Sequence, residues 1–472
     1  MRRLILCLTC IIIGQSTAFA QFTHSSATAA LQGFNPAAVQ GTDALFLNPA
    51  ALQQVPGFKL ALVQIDTRAG GSLLRFDLYN EYLRSNQTLS TGEVDALLGA
   101  WFGNETAVRT AGAINQITLF ALAYATPRQA FGLALRMRQH HRMRMNRGLL
   151  DVLLKGTGED RRVPLNGSLQ AISFAEITFG YAHRFMNDKL RIGIAPKLLL
   201  GGQAIDATLT STATFSDGAI EHTFDYQMRA SGAINDLLEG FDLFANPEPN
   251  ERALDTFGRQ LAGLGVNGKG FGINLGLHYR LSKQAEIGIS FTDVGVINWS
   301  AQSKTYTPVQ HRFVFNGINL QLQRLREEYE GDLGAYMADQ LDSLARAAYE
   351  DVTITEEAFR SPLPAAFHIG TAYRAGKQTA IGAALSVGLN DAAGNLSRKP
   401  IVTVGGRTRL LVFPLFGGIR AGGDGALILY GGSGLRIGNF SWLISLSGTP
   451  KSALMGTGSR FSLMVSLVGV GI

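Results

Sequence analysis

Gly270-Phe-Gly-Ile-Asn-Leu-Gly-Leu-His-Tyr-Arg-Leu281 alternates without a break between large apolar residues and small or polar ones. Phe271, Ile273, Leu275, Leu277, Tyr279 and Leu281 share one face of an extended strand, and Gly272, Asn274, Gly276, His278 and Arg280 share the other. Phe271 and Tyr279 bracket the apolar face. At ~3.3 Å per residue and a tilt of ~40°, that bracket covers roughly 20 Å along a membrane normal. An apolar band between aromatic rings, with a polar face behind it, is what a lipid-facing barrel strand requires.

The same alternation recurs. Phe131, Leu133, Leu135 and Met137 oppose Gly132, Ala134, Arg136 and Arg138, and Ile177, Phe179, Tyr181, His183 and Phe185 oppose Glu176, Thr178, Gly180, Ala182 and Arg184. Ile381, Ala383, Leu385, Val387 and Leu389 oppose Gly382, Ala384, Ser386, Gly388 and Asn390. The pattern predicts an all-β, transmembrane antiparallel β-barrel of about fourteen strands, within a range of twelve to sixteen. Tight turns at Thr126 to Gln129, Asn187-Asp188, Ser282 to Gln284, Ala375 to Lys377 and Gly438-Asn439 alternate with long loops near 67–113, 143–167, 201–269 and 294–363. Shorter loops follow near 391–399 and 450–458. Strict alternation of this kind puts the tight turns, and both termini, on the periplasmic side.

Arg2 and Arg3, the apolar run Leu4 to Ile13 and the Ala18-Phe19-Ala20 end form a signal peptide expected to be cut after Ala20. Ten apolar residues are too few to span ~30 Å of hydrocarbon. Export followed by barrel insertion predicts an outer-membrane protein. Both cysteines, Cys7 and Cys10, lie in the segment removed, which closes off disulfides and thiolate metal sites. With 55 glycines among 472 residues and only 17% charged residues, a glycine-rich inward face is expected. The formal charge of +6 falls to +4 without Arg2 and Arg3, which is too little to argue for nucleic acid.

Two loops carry helical patterns. Ser90 and Glu93 form a capping box ahead of Val94, Leu97, Leu98 and Trp101. Leu322, Leu325, Tyr329, Leu333, Tyr336, Leu341, Leu344 and Ala348 recur at helical spacing. These helices either cover the barrel mouth or form a ligand-gating lid.

Ala44-Leu-Phe-Leu-Asn48-Pro49-Ala50-Ala-Leu52 stands shortly before the first strand, and there the chain resembles the fatty-acid-transporter-like barrel superfamily. Gly270 to Gly276 with Tyr279-Arg280, Asp293-Val-Gly-Val-Ile-Asn-Trp299, and Ser173-Phe174 leading into Ile177 to Tyr181 are similar to a Bacteroidota-type outer-membrane family known as a domain of unknown function, akin to the PorV type. The resemblance implies a barrel at 57–472 with an N-terminal plug or hatch at 21–56, shaped by Asn48, Pro49 and Ala50. It implies passage of a hydrophobic or amphipathic small molecule, or instead a non-transporting scaffold that serves a secretion-system protein. The chain ends Val468-Gly-Val-Gly-Ile472, where many barrels end in Phe.

Asn274, His278, Arg280, His368 and Arg374 share the inward parity of their strands and are candidates to face the lumen. Arg138, His140, His141, Arg142 and Arg144 form a dense basic stretch at the outer end of the third strand. It reads either as a site for an anionic ligand or lipopolysaccharide phosphate, or as a solvated loop stem. No third histidine or carboxylate stands at local metal-ligand spacing, so neither a metal nor another cofactor is expected. Gly263 to Gly268 matches a dinucleotide fingerprint only formally, because it precedes a strand. No Gly-x-Ser-x-Gly or comparable context points to an enzyme.

Overall fold

The chain closes on itself through backbone pairing. In the computed structural model, β1 (Gly57–Gly70) pairs antiparallel with β2 (Arg109–Ala125) on one side and with the last strand, β14 (Arg460–Gly471), on the other. The structure describes residues 35–54, 56–75, 78, 81–82, 89–104, 106–156, 160–186, 188–216, 219–235, 265–315, 322–330, 332, 336, 352–376, 378–395, 398–423, 427–437, 440–448 and 460–471. Between the two ends run β3 (Gln129–Met145), β4 (Gly167–Phe185), β5 (Leu190–Ser216), β6 (Gly268–Arg280) and β7 (Ala285–Trp299). The ring continues with β8 (Ala366–Arg374), β9 (Ala380–Gly388), β10 (Ile401–Leu410), β11 (Phe413–Gly422), β12 (Ile428–Ile437) and β13 (Phe440–Gly448). Every neighbouring pair is antiparallel, so fourteen strands form a barrel with no free edge.

The outward face is apolar, as the alternation requires. Phe271 and Leu275 are exposed while Gly272 and Asn274 between them are buried. Tyr124, Phe131 and Tyr181 lie directly opposite one another on β2, β3 and β4, with 5.4 Å between the last two ring centres, and form an outward aromatic row at the tight-turn end. Inside, the same strands carry Ala121, Ala123, Ala130, Ala134 and Ala182, all buried. No helix among the described residues is long and apolar enough to cross a membrane.

The long loops contain strands that the sequence pattern did not place. Six further strands, at Arg161–Pro164, Ala219–Ser231, Ser303–Pro308, Arg312–Phe315, Val352–Thr355 and Phe359–Pro362, join the same sheet. The cause is β5: its 27 residues reach far beyond a ~25 Å apolar band, and its outer half pairs with Ala219–Ser231. Helix α2 (Thr91–Phe102) carries the capping box, with Glu93 N donating to Ser90 Oγ at 3.4 Å and Ser90 N to Glu93 Oε2 at 2.8 Å. It buries Val94, Leu97 and Leu98, and Trp101 is half-buried. Helix α3 (Gly148–Lys155) was not signalled by the sequence, and among the described residues of the 322–348 pattern the helix α4 covers Leu322–Glu328. The signal peptide expected at 1–20 and residues 21–34 lie outside the described residues.

The outward face yields a depth-dependent prediction. Leu275→Arg is expected to cost roughly 2–4 kcal/mol in urea unfolding from lipid vesicles, and Leu411→Arg, at the exposed turn after β10, at most about 1. Equal costs would contradict the assignment of Leu275 to the middle of the band.

Candidate functional site

Residues 35–54 pack inside the barrel, and their sequence explains how they are held. Asn35-Pro36-Ala37-Ala38 and Asn48-Pro49-Ala50-Ala51 are exact copies. An asparagine before proline is restricted to extended or turn geometry, and its amide can close an Asx turn two residues on. Both copies do so, with Ala37 N donating to Asn35 Oδ1 at 2.9 Å and Ala50 N to Asn48 Oδ1 at 3.2 Å. Each Nδ2 then reaches the barrel wall. Asn35 donates to Thr371 O at 2.9 Å and Asn48 to Leu277 O at 3.2 Å. Asn48 Nδ2 also donates to Pro36 O at 2.8 Å and ties the two copies together.

The wall opposite is cut away for them. A Cβ added at Gly276 would strike Asn48 Oδ1, one at Gly193 would strike Pro49 and Ala50, and one at Gly288 would strike Pro36. The inward glycines at these positions admit a backbone. Between the copies, helix α1 (Ala44–Leu47) inserts Leu45 against Gly132 and Gly180, and a 3-10 turn, Pro49–Gln54, follows. Asn274 lies fully buried under this segment and donates through Nδ2 to Leu45 O at 2.9 Å and Phe46 O at 3.2 Å. His278 Nε2 sits 3.3 Å from Ala37 O and 2.5 Å from Gln54 Nε2. Asn274 and His278 therefore face protein rather than open water.

Above this segment, toward the long-loop end, β3 presents Arg136, Arg138, His140, Arg142 and Arg144 to the interior on alternate residues. Glu176 of β4 accepts from Arg136 Nη2 at 2.9 Å, from Arg138 Nη1 at 2.8 Å and from Thr178 Oγ1 at 2.8 Å. Asp293 of β7 binds Arg138 through both oxygens, at 2.9 and 2.7 Å, and Lys197 Nζ at 2.5 Å. Asp293 adopts φ 53° beside a register shift opposite Ile273 and Leu275, and its N–H donates to Asn274 Oδ1 at 2.7 Å. The bulge turns its carboxylate onto the cations. Glu176 and Lys197 share the inward parity of their strands, but only the cross-strand register shows that they meet Arg136 and Arg138.

The basic stretch lies on the inward face of β3, where Arg136, Arg138 and His140 are buried, whereas the Arg144 and Asp391 side chains at its outer end stay 35% and 50% exposed. Arg138 is paired to carboxylates, and His140 Nδ1 lies 3.1 Å from Ala393 O. Arg142 Nη1 and both Nη atoms of Arg144 bind the Asp391 carboxylate at 2.7 to 2.9 Å, and Arg142 Nη2 also donates to Asp391 O. His141 falls on the opposite face and is half-buried there. Asp391 belongs to the connection between β9 and β10, half a circuit of the barrel from β3. The described residues of this connection thus reach across the lumen to β3.

Phe46 and Leu47 form the floor and Gly394 and Asn395 the roof of a cavity of about 110 Å³, walled by Ile114, Arg136, Arg138, His140, Asp293 and His368. Arg136 lies 4.1 Å over the Phe46 ring. His368 is oriented by Ser386 Oγ at 2.8 Å and Thr292 Oγ1 at 3.1 Å. Arg280 and Arg374 stand away from this cavity, at the tight-turn end, and share Glu286 at 3.6 and 3.2 Å. Among the described residues no group of three or more His, Cys, Asp or Glu side chains could hold a metal.

The crossing connection carries a pH prediction. Hydrogen bonding from Arg144, reinforced by the charges of Arg142 and Arg144, holds the Asp391 carboxyl below its ordinary range. A depressed carboxyl contributes its pairing fully above the ordinary carboxylate range and loses it as pH falls through the lowered native value. Amide-exchange protection at Ala392 to Asn395 is expected to hold from neutral pH down to about 4 and to fall only below that. Loosening near neutral pH would contradict the latch.

Several solved structures resemble this chain. The toluene transporter TbuX of Ralstonia pickettii is 13% identical, with a TM-score of 0.43 over 96% of this chain and 100% of that one. The toluene transporter TodX of P. putida is 11% identical, with a TM-score of 0.45 over 95% and 99%. A FadL homologue from Pseudomonas aeruginosa is 12% identical, with a TM-score of 0.45 over 95% and 97%. No curated protein matches the chain. The model of the family of unknown function DUF5723 matches residues 49–406, from the second Asn-Pro-Ala-Ala copy to β10, and the chain belongs to that family.

Proposed function

We propose that this protein is an outer-membrane barrel that admits a hydrophobic or amphipathic small molecule, with the segment at 21–56 as its gate. The observation that carries the reading is the seating of residues 35–54: they fill the barrel, yet they attach to its wall through a few side-chain hydrogen bonds at glycine notches rather than through strand pairing. A segment held in this way can leave without opening the ring. The cavity above it suits an amphipathic molecule, because Phe46, Leu47 and Ile114 offer apolar contact while Arg136, Arg138 and His140 offer donors. At about 110 Å³ it holds no more than a small molecule or part of one, so passage requires the inner segment or the crossing connection to move. In this reading the signal peptide is removed after Ala20, the tight turns are periplasmic, and the long-loop end faces outward.

Asn48 is the position to test. Its side chain makes three hydrogen bonds, to Pro36 O, Leu277 O and Ala50 N, and is fully buried. Asn48→Ala is expected to loosen the seat by roughly 1–3 kcal/mol and to raise the open population about tenfold or more. Barrel assembly, read as heat-modifiable mobility, stays unchanged, while conductance in planar bilayers rises. Wild-type conductance in a correctly assembled variant would remove the gate from this account.

A further inference from the structure

The tight-turn mouth of the barrel, on the other side of the inner segment from the cavity, concentrates positive charge. Arg184 of β4 lies directly opposite Arg191 of β5, and like charges in that relation repel. Across β8, β9 and β10 the register runs Arg374, Ala380, Arg407, so two more guanidinium groups share one level with only a methyl between their strands. Arg280 and Arg436 complete the band from β6 and β12. Six arginines are thus opposed by Glu286 and the half-exposed Asp188 among the described residues.

The buried end of the band shows that this charge is not balanced internally. Arg191 is 1% exposed, makes no ion pair among the described residues, and leaves its Nε without a partner. Its nearest polar contact is His278 Nδ1 at 3.3 Å. Glu286, the one buried carboxylate nearby, is already shared by Arg280 and Arg374. The fields of Arg280 and Arg184 add at Arg191 against those of Glu286 and Asp188, and the fields of Arg374 and Arg436 add at Arg407 against that of Glu286. A buried cation without a counter-charge is costly, and a band of guanidinium groups that shares so few carboxylates favours an external anion. The open end can receive one, since the Arg280 and Arg374 side chains remain 34% and 46% exposed.

We propose that this mouth is an oxyanion site, in which a phosphate or carboxylate group bridges Arg374 and Arg407 and draws on the charge of Arg280 and Arg436. Planar guanidinium forks suit such a group because they donate in pairs. The assignment stands apart from the gate, since the site can fill while the inner segment stays seated. The anion comes either free from solution or as the head of an amphiphile, and the chemistry is the same for both.

Titration calorimetry of the purified full chain in neutral detergent, with inorganic phosphate and separately with hexyl phosphate, tests it. Both probes are expected to bind, and Arg407→Gln to weaken them by roughly tenfold or more, with Arg407→Lys weakened less. Equal affinity for the two probes identifies a free oxyanion, and tighter hexyl phosphate identifies an amphiphile head group. Arg407 stands at the open end, so its variants are expected to keep heat-modifiable mobility. Absence of binding by both probes, or wild-type affinity in Arg407→Gln, overturns the site, whatever the conductance of the barrel.

Discussion

The interaction on which the interior depends is an asparagine amide meeting a wall that lacks a side chain. Asn48 closes an Asx turn with Ala50 and donates outward to Leu277 O, and it does so because Gly276 and Gly193 leave no Cβ in the way. Asn35 repeats the arrangement with Thr371 O beside Gly288 and Gly370. A fourteen-strand ring is too wide for its own inward side chains to fill. Here a folded-in segment occupies that space, and the two turns set its height and orientation against the wall. Leu45, held between them, packs against Gly132 and Gly180 of β3 and β4, while Asn274, two strands further on in β6, donates to the backbone carbonyls of α1.

Above the segment, the interior is organised by charge. Arg136, Arg138 and Lys197 converge on Glu176 and Asp293, and the charged groups are almost wholly removed from solvent. Such networks gain little net stability over an apolar core, yet removing one member leaves an uncompensated buried charge that costs about 3–5 kcal/mol. Their effect here is positional. β3, β4, β5 and β7 are tied at one level, which holds the cavity wall rigid while its floor and roof rest on weaker attachments. The roof is a single connection that reaches Arg142 and Arg144, so neither floor nor roof takes part in the strand pairing that closes the ring.

The ring itself was legible. Alternation at Gly270 to Leu281 assigned Phe271 and Leu275 outward and Asn274 and His278 inward, and the alternating tight and long connections led to fourteen strands. Those signals are local, with a period of two and turn residues at fixed places. What the alternation could not show is what the inward residues face, because that depends on register between strands distant in sequence. Glu176 meets Arg136 only through the β3–β4 pairing, and Asp391 reaches Arg144 only because β9 and β10 stand across the ring from β3. Arg142 and Arg144 thus read as an anion site or a loop stem, and the carboxylate that meets them in the fold is the chain's own Asp391. The strands in the long loops were missed because β5 continues past the apolar band, where alternation no longer sorts lipid from water. The repeat at Asn35 to Ala38 was a signal present in the sequence; an exact copy thirteen residues before Asn48 identifies both as anchors of one segment.

The central claim is that residues 35–54 occupy the lumen of the assembled barrel. Its most direct measurement is the reactivity of Ala50→Cys toward a water-soluble maleimide in intact liposomes, with Leu411→Cys as the exposed reference. Ala50 is fully buried against Gly193 whereas Leu411 is 82% exposed, so the account predicts rapid labelling at 411 and protection at 50 until the protein is denatured. Labelling at 50 as fast as at 411 would place the segment outside the barrel and contradict the account.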